Sequence, residues 1–167
     1  MARKCHIGII GLGVMGRNLA LNIAERGFAV VGFDSDAQKV QALRHEGREH
    51  DVRGAETLAD FIAALRKPRA ALMLVPAGKP VDAVIRELSR RFDKGDLIID
   101  AGNSHFTDTN RRAEALDRKG LLFLGIGVSG GEYGARHGPS IMPAGHAKAY
   151  TRVRDMLEAA SAKVDGQ

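Results

Sequence analysis

Residues 11–22 read GLGVMGRNLALN and follow the apolar run HIGII at residues 6–10. Three glycines, Gly11, Gly13 and Gly16, stand in GxGxxG spacing where a β-type run gives way to a helical one. Met15, Leu19 and Ile23 recur at i, i+4 and i+8, and Gly27 closes the helical stretch. At such a junction Gly11 makes the tight turn, Gly13 lets a pyrophosphate approach the backbone, and Gly16 lets helix and strand pack closely. The free N–H groups of the helix N-terminus then face the phosphates. A ligand-free strand-to-helix turn is the competing reading of the same glycines. The second strand, AVVGFD, ends on Asp34, 18 positions beyond Gly16. There its carboxylate would accept hydrogen bonds from the ribose hydroxyls of NAD, whereas the 2′-phosphate of NADP would bring like charge against it. Ser35 and Asp36, which follow, supply no cation. Asp34 is also a candidate cap for the next helix.

The rest of the chain repeats the alternation. AQKVQALRHEG reads as a helix closed by Gly47. TLADFIAAL reads as another, with Thr57 as N-cap and Leu58, Phe61, Ile62 and Leu65 on one face. AALMLV is an apolar strand, and Val81, Val84, Ile85, Leu88 and Phe92 mark a helix that stops before Gly95. LIID and LLFLGIGV are strands separated by the helix DTNRRAEALDRKG. SGGEYGARHGPS reads as a glycine-rich loop, IMPAG as a candidate strand, and Tyr150, Val153, Met156, Leu157 and Ala160 as the apolar face of a last helix. Strands apolar throughout, each followed by a helix, predict an α/β fold: a single-domain, Rossmann-like doubly wound parallel sheet.

Composition narrows the function classes. With 167 residues and 44% hydrophobic residues the chain suits one globular domain. No apolar stretch approaches the roughly 20 residues of a membrane helix, and no small-residue cleavage site follows the basic start, so no membrane association and a cytoplasmic location are expected. The single cysteine, Cys5, reads as core packing; no metal motif is present. The net charge of +5 is spread along the chain, with pairs such as Arg90–Arg91 and Arg111–Arg112 read as solvated helix faces. Without a basic stripe interleaved with aromatics, which make up 5% of residues, no nucleic-acid partner is expected.

Two loops at strand ends are polar and built of small residues: Asn103 and Ser104 in DAGNSHFTDTNRR, and Ser129, Gly130 and Gly131 in GVSGGEYGARHGPS. Together with GLGVMGRNLALN, and in that order, these motifs resemble the N-terminal coenzyme domain of the 6-phosphogluconate dehydrogenase family over nearly the whole chain. The wider β-hydroxyacid dehydrogenase superfamily shares the SGG element but usually lacks the GNS…DTxRR and GARxGPS forms. The resemblance implies a cofactor-binding set of Gly11, Gly13, Val14, Met15, Gly16, Asp34, Ser35, Val75 and Asn103. It implies a substrate-binding set of Asn103, Ser129, Gly130 and Gly131, with 6-phosphogluconate as substrate. The implied reaction is oxidation of the 3-hydroxyl by hydride transfer to NAD, or alternatively NADP, then loss of CO2 to give ribulose 5-phosphate. A β-keto acid decarboxylates readily because its carbonyl accepts the electrons, so no metal is needed. Another β-hydroxyacid dehydrogenase, or a non-catalytic dinucleotide-binding module, is the alternative.

Two departures from the family pattern bear on the cofactor. Many members read Asn-Arg-Thr where this chain has Asp34-Ser35-Asp36, and that arginine binds the NADP 2′-phosphate; Pro76 stands where a lysine is common. The missing arginine agrees with the NAD preference, and Pro76 removes another cation without assigning a cofactor contact. The family's general base and acid sit on a helical domain, and no residue here matches them: Lys163 and Glu158 read as solvated surface, and His105 and His137 are given no proton-transfer role. The expectation is a chain that binds dinucleotide without turnover, the full-length protein being a homo-oligomer.

Overall fold

The computed structural model describes residues 3–166. The elements in chain order are β1 (Ile7–Ile10), α1 (Val14–Glu25), β2 (Val30–Phe33), α2 (Ala37–Glu46), β3 (Val52–Ala55), α3 (Leu58–Ala64) and β4 (Ala70–Met73). They continue as α4 (Lys79–Ser89), β5 (Leu97–Asp100), α5 (Phe106–Asp117), β6 (Leu122–Ser129), α6 (Gly131–His137), β7 (Ser140–Gly145) and α7 (Ala147–Ala160). The sheet order is β3-β2-β1-β4-β5-β6-β7, so the winding reverses between β1 and β4. β1 to β6 pair in parallel, as the apolar strands predict, and β7 runs antiparallel to β6.

Alternate strand residues feed two cores, one on each side of the sheet. Ile7, Ile9, Leu72, Leu97 and Ile99 meet Leu19 and Ile23 of α1, Leu43 of α2 and Val153 and Leu157 of α7. Ile10, Val31, Met73 and Ile98 meet Phe61 of α3, Leu88 of α4 and Leu116 of α5. Cys5 is fully buried beside this second core, consistent with packing.

Three details depart from the sequence reading. SGGEYGARHGPS is not a loop throughout, since Gly131–His137 form α6, whose Gly134 and Ala135 are buried against α1. β3 has no counterpart among the strands the sequence predicts; it is a four-residue strand, VRGA, on the sheet edge. Arg112, read as part of a solvated face, is 2% exposed. Thr57 caps α3 as expected, its Oγ1 accepting from the Asp60 N–H at 3.0 Å.

Candidate functional site

The parallel strands bring their C-terminal ends to one edge, which is where open α/β sheets take ligands. Gly11 lies there just past β1 with φ +92°, and a methyl group on it would overlap the Leu74 carbonyl. Only glycine makes this turn without strain or collision. Gly13 is the N-cap of α1, with no side chain to accept the first N–H groups and no acidic residue in the first turn. The opening amides of α1, from Val14 onward, are left to an anion. Nothing lies within 4 Å of the place a Gly13 Cβ would occupy, so the space in front of these amides is open. A methyl on Gly16, by contrast, would collide with the Gly11 carbonyl oxygen. The three glycines therefore meet three different steric conditions: a left-handed turn at Gly11, open space at Gly13 and close packing at Gly16.

Asp34 sits beyond β2 with both carboxylate oxygens engaged. Oδ2 accepts from the Leu12 N–H at 2.7 Å and Oδ1 from the Asp36 N–H at 2.9 Å. These bonds fix the carboxylate against the glycine turn and leave its remaining lone pairs for hydroxyl donors. Asp34 does not cap α2; that role falls to Asp36, which accepts from the Gln38 N–H at 2.9 Å. The surroundings are less poor in cations than the local sequence suggests. Lys39 Nζ is 3.8 Å from Asp34 Oδ2, and Arg44 lines the adjoining cavity of about 290 Å3 together with Asp34, Ser35 and Glu56. Arg44 is already held by the Gly54 carbonyl at 2.6 Å and by Glu56 at 3.2 Å.

Across the switch point, Val75 follows β4, and Asn103 follows β5 in the left-handed region at φ 53°. Asn103 Oδ1 accepts from the Val128 N–H at 3.4 Å, which places it beside Ser129 at the end of β6. Gly130 and Gly131, with φ 138° and 61°, turn the chain into α6. A cavity of about 370 Å3 between α5 and the β6–β7 pair is lined by Asn103, Ser104, Phe106 and Met142; Ser129, Gly130 and Gly131 are not among its lining residues. The cofactor and substrate candidates thus share one edge, but the two cavities lie on separate sides of the glycine turn. No cluster of metal-ligating side chains occurs among the described residues.

This geometry has counterparts in known proteins. Residues 6–167 match the family described as the NAD binding domain of 6-phosphogluconate dehydrogenase. The chain belongs to the 6-phosphogluconate dehydrogenase family. It is 49% identical over 162 residues to 6-phosphogluconate dehydrogenase, decarboxylating 2, of Saccharomyces cerevisiae, covering 96% of this chain and 33% of that protein. It is also 49% identical to the decarboxylating enzyme of Haemophilus ducreyi, over 99% of this chain and 34% of the relative. The solved Plasmodium falciparum 6-phosphogluconate dehydrogenase superposes with a TM-score of 0.93 at 40% identity, over 98% of this chain and 35% of that one. That enzyme is described in apo form, with its cofactor NADP+ and with its substrate 6-phosphogluconate. The chain spans about a third of the length of these relatives and is an NAD(P)-binding domain of the family.

Several residues of this 6-phosphogluconate dehydrogenase domain make contacts that no local sequence pattern signals. Arg136, within the GARxGPS motif, pairs with Glu25 at the end of α1 through both of its terminal nitrogens. That contact holds the Glu25 carboxyl below its usual range. Asn22 on α1 is fully buried and donates to the carbonyls of Ala135 at 3.2 Å and Ala160 at 2.9 Å, tying α6 and α7 to α1. The motif is therefore partly a packing device. His105 caps α5, its Nδ1 facing Thr107 Oγ1 at 2.8 Å, and His137 stacks on Tyr133 with ring centroids 4.5 Å apart.

Proposed function

We propose that this chain is the coenzyme half of a decarboxylating 6-phosphogluconate dehydrogenase. The observation that carries the reading is the open Gly13 cradle at the α1 N-terminus with Asp34 fixed beside it. On the same sheet edge lie Asn103, Ser129, Gly130 and Gly131, where an amide, a hydroxyl and bare backbone N–H groups face an oxygen-rich ligand. In this reading the α1 N-terminus binds the pyrophosphate, Asp34 accepts from the adenosine ribose, and Val14, Met15, Ser35 and Val75 line the coenzyme. A bound nicotinamide would supply the acceptor for a hydride from C3 of the sugar acid. Asn103 and Ser129 hold the substrate so that C3 faces the coenzyme, and the resulting β-keto acid loses CO2 because its ketone accepts the electron pair. The proton-transfer groups belong to a further domain, the whole protein is a homo-oligomer, and this chain alone binds coenzyme without turnover.

For the coenzyme we favour NAD. Asp34 is anchored by two backbone N–H groups and cannot swing away to admit a 2′-phosphate without losing both. NADP is a second reading with its own support: Lys39 lies 3.8 Å from Asp34, Arg44 lines the same cavity, and the P. falciparum relative is described with NADP+. Titration with NADH and with NADPH separates them. The chain contains no tryptophan, so the emission of the reduced nicotinamide can be followed without competing indole fluorescence. Tighter binding of NADPH would overturn the NAD reading, and binding of neither would overturn the coenzyme reading.

A further inference from the structure

We infer that Arg112 is a positioning residue that sets the nicotinamide half of the site by tying together the two loops beneath it. Its side chain is 2% exposed and every nitrogen of its guanidinium is engaged. Nε donates to Asp82 Oδ1 at 2.8 Å, and Nη2 to the Gly78 carbonyl at 3.1 Å. Nη1 donates to Ser104 Oγ at 2.9 Å and Asp100 Oδ2 at 3.2 Å. A single fork on α5 thereby joins the β4–α4 loop and first turn of α4 to the end of β5 and the loop that follows. A lysine ammonium, a point charge on a flexible stem, cannot meet these four acceptors in this plane.

The network reaches Asn103 through Asp100. Asp100 Oδ1 accepts from the Gly102 N–H at 2.9 Å and its Oδ2 from Ser104 Oγ–H at 2.6 Å, so the residues on both sides of Asn103 are pinned. That bracket holds Asn103 at φ 53° with its side chain toward the Val128 N–H. The loops also touch directly: a Cβ on Gly102 would come within 2.7 Å of the Val75 carbonyl oxygen. With Asp34 on the β2 side taking the adenosine ribose, the other half of a dinucleotide crosses the switch point and lies over β4 and β5. Those are the loops that Arg112 joins. The adenosine side shares none of its bonds. The inference rests on the coenzyme reading above only for which half of the ligand feels the clamp.

Arg112→Lys and Ser104→Ala, tested in this chain with NADH and with ADP-ribose, distinguish positioning from general stabilisation. The expected result for Arg112→Lys is NADH binding weakened about tenfold or more, the scale of a lost hydrogen bond to a charged group, with ADP-ribose binding unchanged within about twofold. Ser104→Ala is expected to move NADH binding in the same direction by less. Amide exchange without ligand gives a second readout. The Gly102 and Val128 N–H groups should exchange faster in both variants, while the Leu12 N–H, held by Asp34, should not. Parallel weakening of both ligands, or folded variants in which neither ligand nor the Gly102 amide responds, would overturn the inference. Should Arg112→Lys fail to fold, Ser104→Ala decides. A wild-type chain that binds neither ligand would refute the coenzyme reading instead, and the exchange pattern alone would then judge the clamp.

Discussion

Gly13→Ala separates folding from binding at the glycine turn. The residue has φ −60° and ψ −175°, a conformation open to any amino acid, and no atom lies within 4 Å of the new Cβ. Alanine restricts the unfolded chain, which favours folding by about 0.4–1 kcal/mol, and it is a poorer N-cap than glycine, which opposes it by a similar amount. The net change in stability should therefore lie within about 1 kcal/mol of zero. If the proposed pyrophosphate site is right, the same methyl group is costly for the ligand, because it would occupy the open space in front of the opening amides of α1. Loss of one hydrogen bond to a charged group, about 1.5–3 kcal/mol, predicts dinucleotide binding weakened roughly 10- to 150-fold. Thermal or urea unfolding measures the first quantity and NADH titration the second. Gly16→Ala is the control with the opposite signature, since its methyl collides with the Gly11 carbonyl and must displace the helix; overpacking of this kind costs about 1–3 kcal/mol. Wild-type NADH affinity in a normally folded Gly13→Ala chain would refute the assignment of this cradle to the pyrophosphate. So would a loss of stability as large as that of Gly16→Ala.

Three other substitutions probe the rest of the domain. Asp34→Ser removes the carboxylate proposed to meet the ribose, so the ratio of NADPH to NADH affinity should rise; an unchanged ratio would show that this carboxylate does not read the 2′ position. Asn22→Ala leaves the Ala135 and Ala160 carbonyls without their buried donor, and chemical denaturation should register a loss of about 1–3 kcal/mol. Glu25 has its carboxyl lowered first of all by the hydrogen bond from Arg136, so the folded state holds its proton less tightly than the unfolded state. The pair's contribution, about 0.2–1 kcal/mol for such a partly exposed contact, is complete above the ordinary glutamate range and is lost as pH falls through the lower folded value. Glu25→Gln should flatten the stability profile in that acid window, and a slope identical to wild type would argue against the pair.

The features legible in the sequence are those that one short stretch demands by itself. The GxGxxG turn is of this kind, because a tight turn, an open approach and close packing each need a missing side chain within six residues. The apolar strands and the Thr57 cap are local in the same sense. α6 was hidden because Gly131 and Gly134 disfavour an isolated helix; it forms because Gly134 and Ala135 are buried and Asn22 reaches the Ala135 carbonyl. β3 is four residues long and includes Arg53 and Gly54, which leaves no apolar run to notice. Arg112 looked like a surface charge since its acceptors lie 12 and 30 residues away, at Asp100 and Asp82, where no spacing rule links them. The same holds for Lys39, whose approach to Asp34 exists only once α2 is packed.

The reversed direction of β7 determines where the polypeptide goes next. Because β7 starts beside Ser129 and runs away from the ligand edge, α7 must run back toward it, over about 21 Å for its 14 residues. Arg152 near the start of α7 reaches the carbonyls of Pro68 and Gly95 at the far edge, while the Ala162 N–H past its end donates to the Pro139 carbonyl at the near one. A seventh parallel strand would have sent that helix the opposite way. The reversal of β7 thus acts as a topological return: it brings the backbone after α7 back to Pro139, at the start of β7, with the Ala160 carbonyl held against Asn22 of α1.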